Sequence, residues 1–148
     1  MKRSEPVELM NMCVLCRGSK VLVQDRTDPN WPGVAFPGGH VEKSESFTDA
    51  VIREVQEETG LTISSPRLCG IKDWCEDGVR HVVLLYRAEQ FTGTLRSSDG
   101  ARSGGRSSPV SPHSILHLPT CSTFSACLKK MISASCSTAR TVKIGLTN

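Results

Sequence analysis

No acidic residue follows Asp99 in this chain of 148 residues, and aromatic residues make up only 5% of it. Other absences narrow the class further. There is no run of about eighteen apolar residues, so no membrane-spanning helix is expected. Residues 1–11 carry Lys2 and Arg3 but no apolar stretch of signal-peptide length, which makes the cytoplasm the expected compartment. No internal repeat occurs. The apolar fraction, 38%, is modest, yet the length suffices for one domain with a real core.

The cysteines do not form a framework. Their number is seven, an odd count at irregular spacing (Cys13, Cys16, Cys69, Cys75, Cys121, Cys127 and Cys136), and without a secretion signal a disulfide scaffold is not expected. Cys13 and Cys16 have the C-x-x-C form of zinc and redox sites. Residues 9–17 read as a strand, however, and positions three apart on a strand point to opposite faces. These thiols are therefore read as small reduced hydrophobes.

Charge divides the chain. Residues 1–99 hold twelve Lys or Arg against fifteen Asp or Glu, a formal charge of −3. Residues 100–148 hold six Lys or Arg and no acid, a formal +6. Two segments with different roles or histories are implied. Six charges over 49 residues with almost no aromatics make no strong case for a nucleic-acid arm.

The first ninety-nine residues read as alternating strands and one helix. Residues 10–16 and 21–24 form a hairpin around an Arg-Gly-Ser-Lys turn, and 28–33 form a loop. Residues 34–36 make a short strand entering Pro37-Gly38-Gly39. Residues 46–59 read as a helix: Ser46 and Asp49 have the capping-box form, Phe47, Val51 and Val55 supply an apolar stripe, and Gly60 stands at the left-handed C-cap. Residues 68–74 and 81–86 form a second hairpin around Glu76-Asp77-Gly78, with 88–95 continuing it. From 97 to 125 the composition is Ser, Gly, Pro and Arg without periodicity, where no fixed structure is expected. Residues 127–134 read as a short helix.

The chemistry concentrates in residues 38–61. Glu54, Glu57 and Glu58 stand at i, i+3 and i+4, which places three carboxylates on one helix face. Like charges that close repel, so the arrangement calls for a cation. Carboxylate oxygens suit Mg²⁺ or Mn²⁺, and Mg²⁺ commonly works with substrate phosphates. Gly38 and Gly39 let backbone approach a metal or phosphate, and Arg53 is placed to hold the adjacent Glu54 carboxylate through a bidentate pair.

Gly39, Glu45, Arg53, Glu54, Val55, Glu57, Glu58, Gly60 and Leu61 together match the Nudix signature without a departure. Seven are fixed identities, and a chance match is on the order of one in 10⁸. A looser similarity to MutT-like bacterial Nudix hydrolases, of the 8-oxo-dGTP diphosphatase kind, runs from about residue 10 to 99. The resemblance implies an α/β fold, an α/β/α sandwich around a mixed β-sheet. It implies that Glu54, Glu57 and Glu58 bind metal with the Gly38 carbonyl, that Arg53 orients a glutamate, and that Glu45 and Gly60 support the motif. It implies water attack at phosphorus in a nucleoside diphosphate linked to another group, a nucleotide being the small-molecule substrate, with a box glutamate or a later acid as general base. Arg53, Glu54, Glu57 and Glu58 are the expected catalytic set.

Of four further residues, three have two readings each. Gly39 and His40 are expected against phosphate, His40 alternatively being a surface loop histidine. Arg26 contacts phosphate or is simply solvated. Trp31 stacks on a base or packs under its own Pro-rich loop.

The tail departs from the resemblance. MutT-like proteins continue past the segment similar to 95–99 with an acidic stretch, another strand and a C-terminal helix. Here 100–148 follows as a basic tail, expected to be atypical or disordered beside a domain over 1–99. The loss of every acidic residue with enrichment in Ser, Arg, Pro and Cys points to a chain read out of frame after about Asp99. A coding DNA in which no single-base shift restores a Nudix-like ending would exclude that.

Overall fold

The computed structural model describes residues 4–18, 20–26, 33–96, 110–117 and 140–142, with backbone alone at 25, 26, 33, 34 and in the last two segments. In chain order the elements are β1 (Val7–Arg17), β2 (Lys20–Arg26), β3 (Gly33–Ala35), α1 (Phe47–Thr59), β4 (Leu61–Ser64), β5 (Arg67–Glu76), β6 (Val79–Ala88), β7 (Gln90–Gly93), β8 (Val110–His117) and β9 (Arg140–Val142).

Among the described residues the main sheet runs β3-β2-β1-β6-β5-β9, with β8 on β2, and a separate ribbon pairs β4 with β7. The main sheet is mixed. β1 and β6 are parallel from Val7↔Arg80 to Leu15↔Ala88, and β5–β6 is an antiparallel hairpin closed by Asp77 and Gly78, both at positive φ. The mixed sheet and its α/β character agree with the sequence reading. Among the described residues α1 is the one helix, so they do not test the second helical layer of the expected sandwich.

Central β1 is apolar on both sides because both faces of the sheet are buried. Cys13 and Leu15 join Leu22, Leu84 and Tyr86 beneath α1 and the β4–β7 ribbon. Val14 and Cys16 join Val21, Val23, Val83 and Leu85 on the other face. Cys13 and Cys16 thus point to opposite faces, as the strand reading required, and neither is in a disulfide.

α1 forms for the local reasons read in the sequence. Ser46 Oγ accepts from the Asp49 amide at 3.1 Å and donates to the Asp49 carboxylate at 2.7 Å. Gly60 closes the helix at φ 73°, donating to the Gln56 carbonyl. A side chain there would also press on the Thr94 carbonyl at 2.7 Å, so glycine serves both the turn and the close approach of the chain after β7. The apolar stripe differs from expectation at its start. Ala50, Val51 and Val55 are fully buried, whereas Phe47 is 42% exposed. Each buried valine contributes about 1.5–3 kcal/mol, and these two anchor the helix.

Two further expectations change. Residues 88–95 do not continue the β5–β6 hairpin: they turn away as β7 and pair with β4, from Leu61↔Gly93 to Ser64↔Gln90. The strand β4 itself was not read. Its four residues follow the helix with only Gly60 between, too short for an alternation signal to stand out. β8 and β9 fall inside 100–148, which was read as mostly without family-like structure. β8 lies along β2 from Lys20↔His117 to Arg26↔Val110. A sheet edge offers unpaired N–H and C=O groups to an extended segment whatever its side chains. The helix read at 127–134 lies outside the described residues.

Candidate active site

The loop before α1 is held on β1 by three backbone bonds. Cys13 N donates to the Pro37 carbonyl at 2.8 Å, Asn11 N to the Gly39 carbonyl at 2.8 Å, and Val41 N to the Leu9 carbonyl at 2.9 Å. Both positions between Pro37 and His40 are tight, Gly38 against backbone and Gly39 against a side chain that can move. A Cβ on Gly38 would lie 2.2 Å from the Asn11 carbonyl oxygen, and one on Gly39 would lie 2.5 Å from Glu54 Oε2. The Gly39 backbone and the Glu54 carboxylate are therefore in direct contact, the close approach the two glycines suggested.

Arg53 organises the acidic groups. Its Nε and Nη2 reach the two oxygens of Glu45 at 2.8 and 2.9 Å. Its Nη1 reaches Glu54 at 2.7 Å and Glu57 at 3.3 Å, and Nη2 also donates to the His40 carbonyl at 3.0 Å. The bidentate partner is thus Glu45, not the adjacent Glu54. A residue's neighbour on a helix lies about 100° around the axis, so a two-point fork between i and i+1 is hard to form, whereas the loop brings Glu45 opposite the guanidinium. Glu45 in turn accepts from the Glu42 amide at 3.1 Å, closing the loop on itself.

The same guanidinium supplies a cation for the repulsion read from the sequence. Glu57 is 41% exposed at its side chain and Glu54 only 15%, so Glu57 is the freer to swing. Glu58 is turned elsewhere: its Oε2 accepts from the Gly38 amide at 2.9 Å and from Gln24 Nε2 at 3.1 Å. Consequently, among the described residues no three Asp, Glu, His or Cys side chains converge on one point. In donor chemistry the group still fits a hard divalent cation. Three carboxylates share one helix face beside a backbone that only glycine permits, and that face lies against the loop.

The electrostatics separate the carboxylates. The Arg53 hydrogen bonds hold the Glu45 carboxyl below its ordinary range. Burial pushes Glu54 above it, opposed by Arg53 and by His40 and reinforced by Glu57. Arg53 itself is held more firmly protonated, chiefly by its bonds to Glu45.

The structure brings Gly38, Gly39, Glu45, Arg53, Glu54, Glu57 and Glu58 together, with the His40 carbonyl on Arg53 and its side chain exposed. Arg26 is described by backbone alone, at the end of β2 opposite Gly33. Trp31 lies outside the described residues. One site residue was missed. Gln24 is buried on β2 and bonds Glu58 across 34 residues. No local signal marks it, because it acts only through the pairing of β2 beside the loop.

Comparison with known proteins gives the family and the fold. The profile of the NUDIX domain matches residues 10–119. The Nudix hydrolase YvcI of Bacillus subtilis is 38% identical over 86 residues, covering 55% of this chain and 53% of its own length. An ADP-ribose pyrophosphatase of Methanocaldococcus jannaschii is 32% identical over 92 residues, covering 60% and 54%. The chain therefore spans about half the length of these two relatives. Among solved structures, the MutT NUDIX hydrolase of Burkholderia pseudomallei superposes with a TM-score of 0.64 at 24% identity, covering 82% of this chain and 96% of its own, a likeness of fold.

Proposed function

Because the chain belongs to the NUDIX domain family, we propose that it hydrolyses a nucleoside diphosphate linked to another group, using Mg²⁺ or Mn²⁺ held by Glu54, Glu57 and Glu58 with the Gly38 carbonyl. The substrate we favour is a nucleoside triphosphate, oxidised guanine nucleotides included, cleaved to monophosphate and pyrophosphate. The observation that carries this reading is the chain of contacts from Glu45 through Arg53 to Glu54, which sets one carboxylate against the Gly39 backbone.

The metal, when bound, lowers the pKa of an attacking water and neutralises phosphate charge. The chain's own residues do the positioning. Arg53 orients Glu54 from one side while Gly39 bounds it on the other. Burial raises the proton affinity of Glu54, the direction that suits a general base. Gln24 and the Gly38 amide orient Glu58. To the loop residues Gly39 and His40 we assign phosphate contacts; the assignments of Arg26 to phosphate and of Trp31 to the base rest on the sequence alone.

The likeness to an ADP-ribose pyrophosphatase supports a second substrate class: ADP-ribose, a nucleotide sugar or a dinucleoside polyphosphate. The acid-free segment 100–148 supports a third reading, a nucleotide-binding module with impaired catalysis. A substrate screen with Mg²⁺ separates the three, with Glu57→Gln as control. Turnover abolished in the control supports the hydrolase reading, and its substrate profile chooses between the first two. Turnover retained in the control removes the metal assignment. Nucleotide binding without turnover selects the third.

A further inference from the structure

A buried amide lies beside the carboxylate site, and no contact described above uses it. Asn11 is 2% exposed, and neither Nδ2 nor Oδ1 of its side chain has a hydrogen-bond partner among the described residues. β1 pairs with β6 without a register shift from Val7 to Leu15, so Asn11 lies on the same face as Cys13 and Leu15, the face that α1 covers. Its cross-strand partner is the buried Leu84. The amide is therefore set into an apolar layer. An unpaired polar group in such a place destabilises the fold, whereas leucine, of nearly the same shape, would not.

The backbone of the same residue locates that amide. Asn11 N donates to the Gly39 carbonyl at 2.8 Å, and the Asn11 carbonyl oxygen lies where a Cβ on Gly38 would meet it. Gly39 in turn abuts Glu54 Oε2. Asn11 is thus the β1 residue on which both loop glycines rest. Its side chain enters the corner between β1, the loop and α1. A polar group held there against stability points to a use at that corner.

The chemistry of the amide selects its partner. A carboxamide offers two N–H donors and an acceptor oxygen. The buried side chains of the same layer, Leu84 and Val51 among them, offer nothing in return. A water meets a donor and an acceptor at once, and it is the usual occupant beside buried polar groups. We propose that Asn11 is a positioning residue: its amide binds a buried water that ties the loop 37–39 to β1 and so holds the Gly38 carbonyl in place for a metal ion. The effect on the metal rests on the function proposed above, whereas the tied loop does not.

The test uses the full chain without nucleotide, and three variants. Asn11→Leu removes the hydrogen bonding at nearly constant shape, and Asn11→Thr with Asn11→Val form a second pair that differs by one hydroxyl. In the parent, the Asn11 side-chain amide protons are expected to show an NMR cross-peak to a long-lived water. In Asn11→Leu the melting temperature holds or rises. The Cys13 and Val41 amides, which bond the loop to β1, then exchange hydrogen about tenfold faster, and Mn²⁺ binds roughly tenfold more weakly. Asn11→Val shows the same losses and Asn11→Thr smaller ones, and this pair decides if Asn11→Leu fails to fold. No water cross-peak in the parent, unchanged exchange in Asn11→Leu and Asn11→Val, or equal losses in Asn11→Thr and Asn11→Val each overturn the proposal. Faster exchange with unaltered Mn²⁺ affinity overturns its link to the metal. A parent that binds no Mn²⁺ removes the metal reading itself, and the water and exchange measurements still judge the tied loop.

Discussion

Arg53 grips Glu45 at two points, Nε to Oε1 at 2.8 Å and Nη2 to Oε2 at 2.9 Å, across eight residues of sequence. The same guanidinium holds Glu54 at 2.7 Å. Glu45 thus acts on Glu54 without touching it, as a positioning residue. Replacing Glu45 by Gln should lower kcat by roughly 10–100-fold with little change in KM, the usual cost of losing an outer partner of a metal ligand. Steady-state kinetics on whichever nucleotide the screen identifies would show it. An unaltered kcat would mean that Glu54 keeps its place without Glu45.

The two carboxylates should also bend the pH dependence of stability in opposite directions. Glu45 is depressed by Arg53. Its stabilisation is full above the ordinary carboxylate range and lost as pH falls through its folded-state value. Glu54 is raised by burial, so its folded form takes up a proton first, and stability declines as pH rises from the ordinary value through the raised one. Urea midpoints measured without metal between about pH 3 and 7 should therefore fall less steeply toward acid in Glu45→Gln. In Glu54→Gln the decline on the rising side should vanish. A Glu45→Gln profile parallel to the parent's would contradict the pairing.

Gly38 and Gly39 should respond differently to alanine. At Gly39 the added Cβ meets the movable end of Glu54, so the fold should lose under about 1 kcal/mol while Mn²⁺ affinity drops. At Gly38 it meets the Asn11 carbonyl and Met12 Cα, both backbone, at a φ of 155°. That substitution should destabilise by about 2 kcal/mol or more. Thermal melts beside Mn²⁺ titrations separate the two effects, and equal melting temperatures would count against this contact geometry.

Thiol reactivity offers a check on the core. Burial pushes the Cys13 thiol up to about 12, and Cys16 is buried on the opposite face, whereas Cys75 is exposed. Iodoacetamide at about pH 8 should alkylate Cys75 while sparing Cys13 and Cys16 in the native chain, since the thiolate is the nucleophile. Peptide mass spectrometry reads the sites. Rapid labelling of Cys13 would show that β1 is not the central strand described.

Local chemistry was legible wherever a few neighbouring residues decide the outcome. The Ser46 cap, the Gly60 stop and the helix between them depend on contacts within one or two turns. The opposite orientations of Cys13 and Cys16 follow from strand geometry alone. The acidic face of Glu54, Glu57 and Glu58 likewise follows from the helical repeat. The exposure of Phe47 was not legible, because its spacing marks a face of α1 but not where the sheet beneath it ends.

What the sequence determined by itself is therefore the box: which residues it contains, that a helix carries them, and that a family of this kind follows. The tertiary structure decided how those residues meet. Arg53 takes Glu45 rather than Glu54 as its two-point partner because the loop is laid along β1. Glu58 turns to Gln24 because β2 passes beside that loop. Residues 90–93 leave the hairpin for β4 because the chain after α1 offers an unpaired strand. Each outcome depends on segments brought together across tens of residues, and side-chain spacing carries no information about which backbone edge another segment will find.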